Sequence, residues 1–262
     1  MPATDLRRIA EFQMSFARRQ AAVVQEVPGG LVVLDPEYAG SYEHNQLILD
    51  GHLAGGAAAP PAELPALADT VLGHLPHRQV TVLDDTTGTA CAAALAGAGY
   101  EHYIHLIMTY AGKAPVPEQA AEQITVTELR PALIPELCAW LPQASDLVID
   151  QLARRRTARL RGADEVRFLA VREPGGAIAS WADLYLDRDR GIAQIEDVMT
   201  AEAHRRHGYS GAVLATALHQ AAGCELVFLL AEADDWPRNW YARLGFTVIG
   251  RSHVFTRSAS VA

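Results

Sequence analysis

The stretch that most constrains this chain is Arg205-Arg206-His207-Gly208-Tyr209-Ser210-Gly211. It follows an extended run, Ile192 to Thr200, and opens a helical pattern from Gly208 to Ala222. Strand, glycine-bearing turn and helix in that order read as one step of an α/β architecture. The glycines let the backbone turn tightly and approach a ligand, and the helix start turns unpaired amides and the positive end of its dipole outward. With two arginines at its mouth, the segment reads as a cradle for an anion such as phosphate.

The surrounding pattern gives this step a context. Ala111 to Gln119 contains Pro115 and Pro117, which disfavour helix and remove sheet donors. Residues 113–123 are therefore expected to link two parts, 1–112 and 124–262. The second part reads as a complete alternating α/β unit. A first strand is expected over Ile124 to Leu129, with helices over Pro131 to Leu141 and Ser145 to Arg161. Strands follow over Val166 to Arg172, Ile178 to Leu186 and Ile192 to Thr200. After the loop and its helix come a strand from Leu226 to Ala231, a short helix from Pro237 to Leu244 and a last strand from Phe246 to Phe255.

Four segments of that part carry a resemblance. They are Ile195-Glu196-Asp197-Val198-Met199-Thr200, then Arg205-x-x-Gly208-x-Ser210, then Leu226 to Glu232, then Trp240-Tyr241-Ala242-Arg243-Leu244-Gly245-Phe246. In order and spacing this resembles the GNAT superfamily of N-acetyltransferases, with Ser210 where family loops hold glycine or alanine. The resemblance implies an α/β GNAT fold, a mixed twisted sheet flanked by helices. It also implies acetyl-coenzyme A as cosubstrate and catalysis in residues 124–262.

The first part repeats the tail of the second. Gln79 to Asp85, a helical Cys91 to Ala98, Gly99-Tyr100 and alternating Glu101 to Met108 lie 146 residues before Glu225 to Val254, Gly99 over Gly245 and Tyr100 over Phe246. Leu95, however, lies over Tyr241, and the nearest glycine-rich stretch, Gly51 to Ala59, has no arginine. The expectation is a second, incomplete GNAT-like N-terminal domain that neither binds coenzyme A nor catalyses. A chance recurrence of strand, helix, Gly-aromatic and strand is the alternative.

Composition narrows the setting. Half of the 262 residues are hydrophobic, enough for a substantial core. No apolar run reaches the roughly 18 residues that span a bilayer, and Met1 to Arg8 lacks the apolar core of a signal peptide. A cytoplasmic location without membrane association is expected. Cys91, Cys138 and Cys224 are too few and too far apart for a disulfide framework or a zinc site, and read as small buried residues. Residues 1–123 carry net charge −8 and residues 124–262 net −1. That balance argues against a nucleic-acid partner for the first part and allows a cationic substrate.

The resemblance assigns roles to particular residues. Backbone groups of Val198, Met199 and Thr200 would pair with the pantetheine amides as an added strand would. Arg206, His207, Gly208, Ser210 and Gly211 would offer amides to the pyrophosphate, with Arg205 or Arg206 adding charge and Tyr209 packing inward. Tyr241 is the expected general acid: a phenol of pKa about 10 can protonate a leaving thiolate without being ionised itself. For the base, strand alternation puts Glu196 on one face with Gln194, Val198 and Thr200, and Asp197 on the core-facing side with Ile195 and Met199. Glu196 is the choice, acting through water, and an anchor for the substrate cation stays open beside it. His204 and His207 lack the partners of a metal site, so none is expected.

Three further motifs read blandly. Tyr42-Glu43-His44-Asn45 is a strand edge or turn. Arg154-Arg155-Arg156 with Arg159 and Arg161 is a solvated helix face rather than a nucleic-acid patch. Asp234-Asp235-Trp236-Pro237 is a helix start capped by aspartate. The sequence thus points to an acetyltransferase for a small primary amine. A protein or peptide amine as acceptor, and a non-catalytic acyl-coenzyme A-binding module, remain alternatives.

Overall fold

The computed structural model describes residues 2–51 and 59–258. Most of the glycine-rich stretch noted above, residues 52–58, lies outside the described residues. The chain divides into two compact units, residues 1–108 with 230–262, and residues 109–229.

The first unit opens with α1 (Pro2–Gln20), β1 (Val23–Val27), β2 (Gly30–Leu34) and β3 (Gln46–Leu49), followed by α2 (Leu64–Leu72), β4 (His77–Val82), α3 (Asp85–Gly97) and β5 (Glu101–Tyr110). Alternation along the strands sends side chains to two faces. Leu31, Val33 and Ile48 meet Ala10, Met14 and Ala17 of α1, whose spacing is that of one helix stripe. Val32, Leu47, Leu49, Val80 and Val82 instead meet Leu64, Ala68 and Leu72 of α2 and Cys91 and Leu95 of α3. Asp84 starts α3 by accepting the Thr87 amide at 2.8 Å.

The turn at Tyr42 to Asn45 is polar glue, in keeping with its bland reading. Asn45 donates to the carbonyls of Tyr38 (2.8 Å) and Ser41 (3.0 Å) and accepts from the Asp35 amide (2.9 Å). The Tyr42 ring stacks on the buried His77 imidazole at 3.8 Å. Burial pushes His77 down to about 4, so it is neutral at pH 7, with Nε2 positioned 3.3 Å from the Asn45 carbonyl.

The second unit contains β6 (Glu122–Ile124), α4 (Val126–Trp140), α5 (Asp146–Arg154), α6 (Arg156–Arg159), β7 (Glu165–Arg172), β8 (Ile178–Asp187), β9 (Ile192–Thr200), α7 (Tyr209–Gln220) and the start of β10 (Leu226–Glu232). Its strand order is β6, β7, β8, β9, β10, antiparallel up to β9 and parallel between β9 and β10. Every residue of β8 is buried, so the sheet is covered on both faces there. Leu129, Leu133 and Leu137 of α4 and Ile149 and Leu152 of α5 pack with Phe168, Ala170 and Trp181, while α7 packs against β7, β8 and β9.

Several expectations need correction. The strand expected from Ile124 to Leu129 stops at Ile124, because Thr125 and Glu128 form a capping box that starts α4 five residues before Pro131. The expected helix from Ser145 to Arg161 is two, broken at Arg155. Cys91 is buried, but Cys138 is exposed and Cys224 half-buried. Asp235 accepts from the adjacent Trp236 amide, and no side chain caps α8 (Pro237–Arg243).

The larger correction concerns the division of the chain. Residues 124–262 do not form one compact unit: the end of β10, α8 and β11 (Phe246–Ser258) belong with the first unit. There β11 lies between β4 and β5, pairing antiparallel with β4 from His253↔Val82 to Ser258↔His77. β5 in turn neighbours β10, with the Ala233 amide 2.8 Å from the Ile104 carbonyl. The strand after α3 and the strand after α8 have thus exchanged places. The repeated positions still match locally: Gly99 and Gly245 have φ of 82° and 99°, and Tyr100 and Phe246 are both buried.

Candidate functional site

In the second unit the geometry builds from β9. Its pairing with β10 runs Ile192↔Leu226, Ala193↔Val227 and Gln194↔Phe228 and ends there. From Glu196 to Thr200 the strand is half-buried and remains bonded to β8 on its other edge. Between Glu196, opposite Asp183, and Met199, opposite Trp181, β9 holds one extra residue, and Asp197 has φ of 50°. This β-bulge breaks strict alternation. Asp197 therefore does not sit among core apolar residues as expected; its carboxylate meets Arg156 and Arg159. Gln194 and Glu196 share a face, as alternation before the bulge requires, and Gln194 Nε2 donates to the Glu196 carboxylate.

The strand end is pinned before the loop begins. Ser180 Oγ donates to the Met199 carbonyl, Thr200 Oγ1 to Ser180 Oγ (3.1 Å), and the Ala201 amide to the Ala179 carbonyl (3.0 Å). The Glu202 amide donates to buried Glu136 of α4 at 3.0 Å. Beyond it, Arg205, Arg206, His207 and Gly208 are exposed.

Two residues of the loop take left-handed backbone conformations, Arg206 at φ 67° and Gly208 at φ 84°. Gly208 suits the second without a Cβ penalty and is the residue from which α7 starts. No side chain caps α7. The first-turn amides of Tyr209, Ser210 and Gly211 have no intrahelical acceptor and stand at the positive end of a three-turn helix. His207 Nδ1 lies 2.8 Å from the Arg205 carbonyl, which stiffens the turn. Tyr209 is not packed inward as expected. It is half-buried, with the His207 ring stacked on it at 6.0 Å and the His204 ring edge-on at 6.4 Å. Val198, Met199, Thr200, Arg205, Arg206, His207, Gly208, Ser210, Gly211 and Glu196 thus all lie along one strand, loop and helix start of the second unit.

Tyr241 belongs to the first unit, on α8. It faces inward, 7% exposed, with Phe246 edge-on at 5.7 Å and Trp240 tilted beside it at 5.0 Å. Of the two neighbouring aromatic rings, Tyr241 is the more buried.

Sequence reasoning missed a buried charge cluster. Arg156 and Arg159, read as solvated, are each 2% exposed. They meet Asp183, itself fully buried, and Asp197. Burial alone would raise the Asp197 carboxyl; Arg159 and Arg156 outweigh it and hold the group well below the usual carboxylate range. The i, i+3 spacing of the two arginines, which puts them on one helix face, was the available signal.

Residues 130–246 match the acetyltransferase (GNAT) family. Among solved structures, a conserved protein of unknown function from Staphylococcus epidermidis ATCC 12228 is similar with a TM-score of 0.66 at 13% identity, over 89% of this chain and 92% of that one. A GCN5-related N-acetyltransferase from Kribbella flavida is similar with a TM-score of 0.63 at 18% identity, over 97% and 96%. An acetyltransferase of the GNAT family from Colwellia psychrerythraea follows at 0.51 and 12%, over 97% of each chain. At these identities the likeness is one of fold. No curated protein matches the chain.

Proposed function

We propose that this enzyme moves an acetyl group from acetyl-coenzyme A to the primary amine of a small molecule, in the cytoplasm. The observation that carries the reading is the loop. Two left-handed positions separated by one residue, Arg206 and Gly208, precede the uncapped start of α7 and leave amides and two exposed guanidiniums for a pyrophosphate. The free stretch of β9, Val198 to Thr200, suits the pantetheine amides as an added strand would.

The amine nitrogen attacks the thioester carbonyl directly, and the carbon–sulfur bond breaks without an acyl-enzyme. Tyr241 gives its phenolic proton to the leaving thiolate. The proton lost by the attacking nitrogen passes through water to Glu196, and the phenolate regains its proton from solvent. We assign the first unit's β4, α3 and β5 to a degenerate copy of β10, α8 and β11: Leu95 stands where Tyr241 would, and no arginine lies between β3 and α2. That copy supplies structure rather than a second coenzyme A site.

The test is coenzyme A release from acetyl-coenzyme A with a panel of small amines and of peptides. Release with small amines but not with peptides is expected. Release with peptides alone would move the acceptor to proteins, and binding without release to any amine would make the chain a non-catalytic module.

A further inference from the structure

The second unit buries two arginines and two aspartates where a few leucines would hold a core as well. Arg156 Nε lies 3.1 Å from Asp183 Oδ1, and Arg159 Nη1 2.7 Å from Asp183 Oδ2, where the Tyr185 hydroxyl also donates at 3.1 Å. Asp197 Oδ2 accepts from Arg156 Nη2 at 2.7 Å and from Arg159 Nη1 at 2.6 Å. Replacing such a cluster by well-packed apolar groups is often neutral or stabilising, so net stability is a poor reason for its presence. What it supplies is direction, because each guanidinium fork fixes where its carboxylate sits.

The carboxylate so fixed belongs to the one strained residue of β9. Asp197 adopts φ of 50°, a conformation that costs a non-glycine residue about 1–3 kcal/mol and persists when its surroundings over-determine it. It is also the bulge residue, three positions beyond the last β9–β10 pair and immediately before Val198 to Thr200. We infer that Asp197, clamped by Arg156 and Arg159, is a positioning residue. The clamp reaches from α6 to β9, holds the bulge in its left-handed form and so aims the free edge of Val198 to Thr200 at the pantetheine. Asp183 balances the second guanidinium. The inference rests on the coenzyme A reading above.

Two variants remove charge from the same buried cluster. Asp197→Asn with Arg159→Met loses the carboxylate at the bulge; asparagine still tolerates a left-handed backbone, and one Arg–Asp pair remains. Asp183→Asn alone removes the other carboxylate and keeps both guanidiniums on Asp197. Calorimetry with coenzyme A, steady-state kinetics and thermal unfolding are measured on full-length wild type and both variants. The first variant is expected to weaken coenzyme A binding at least tenfold, with KM for acetyl-coenzyme A rising more than kcat falls. The second is expected to weaken binding by no more than about threefold, although both lose stability. Equal weakening in the two variants, or none in the first, would overturn the inference while wild type still binds. Should either variant fail to fold, Asp197→Glu keeps every charge and moves the carboxylate by one methylene, and unaltered affinity there overturns it equally. Wild type that binds no coenzyme A would instead remove the coenzyme A reading itself.

Discussion

β3 of the first unit and β9 of the second each run parallel to the next strand in sequence, β4 and β10, and each precedes a helix. They differ in which edges are free. β3 is four residues long, wholly buried, and bonded on both sides, to β2 through Gly30↔Leu49 and to β4 through Leu49↔Val82. β9 is nine residues long, and its last residues keep β8 but not β10. A strand paired on both edges has no backbone groups to lend, whereas a bulged strand that outruns its partner does. The chemistry after the strand differs too, since an arginine-glycine turn follows β9 and none follows β3. On the proposed reading, a released edge and an anion cradle at its end are what separate the two.

The largest way to break this contrast is Gly208→Asp. A Cβ there meets open space, and aspartate tolerates a left-handed backbone, so the fold should persist. A carboxylate at the cradle is expected to weaken coenzyme A binding by at least about a hundredfold, since like charges in one site cost several kcal/mol. A folded variant that binds as wild type does would remove the loop as the anion site.

Tyr241→Phe sharpens the chemistry on the other side of the repeat, where Leu95 is the counterpart. Loss of the phenol is expected to lower kcat by about 10- to 10⁴-fold with little change in acetyl-coenzyme A affinity. Full turnover under conditions in which chemistry limits the rate would assign the proton to another group.

A smaller effect separates how the two units bury their ionisable groups. His77 is buried neutral and its folded pKa, about 4, lies below the ordinary 6.5. The unfolded chain therefore takes up the proton first, and the stability due to this group is present above pH 6.5 and lost as pH falls toward 4. The loss is on the order of 3 kcal/mol. Asp197, depressed instead, should keep its contribution through that window and lose it only at lower pH. Urea midpoints of wild type and His77→Gln should diverge above pH 6.5 and converge toward pH 4; parallel curves would show that His77 carries no such linkage.

Much of this was readable in the residues. β7, β8, β9 and β10 lie within a residue or two of their sequence-derived limits, because buried strands are near-continuous apolar runs bounded by turn residues. The loop and α7 were legible for the same local reason. α4 was misplaced because Pro131 drew the helix start forward past the Thr125-x-x-Glu128 box. The burial of Arg156 and Arg159 depends on aspartates 24 to 41 residues away, and no local pattern announces such partners. The bulge at Asp197 likewise hides in a run that alternates plausibly without it. Nor does periodicity say which neighbour a strand takes, so the exchange of β5 and β11 was invisible.

That exchange bears on how the comparison should be tested. Removing residues 1–112 would strip β11 of its partner β4 and leave a fragment unlike the native unit, so the whole chain must be measured. The direct measurement is the stoichiometry of coenzyme A on full-length protein by titration calorimetry. One site per chain, abolished by Gly208→Asp, is the result the account predicts. Two sites per chain, or one that survives Gly208→Asp, would contradict the claim that the released edge of β9 and its loop are where this protein binds its cosubstrate.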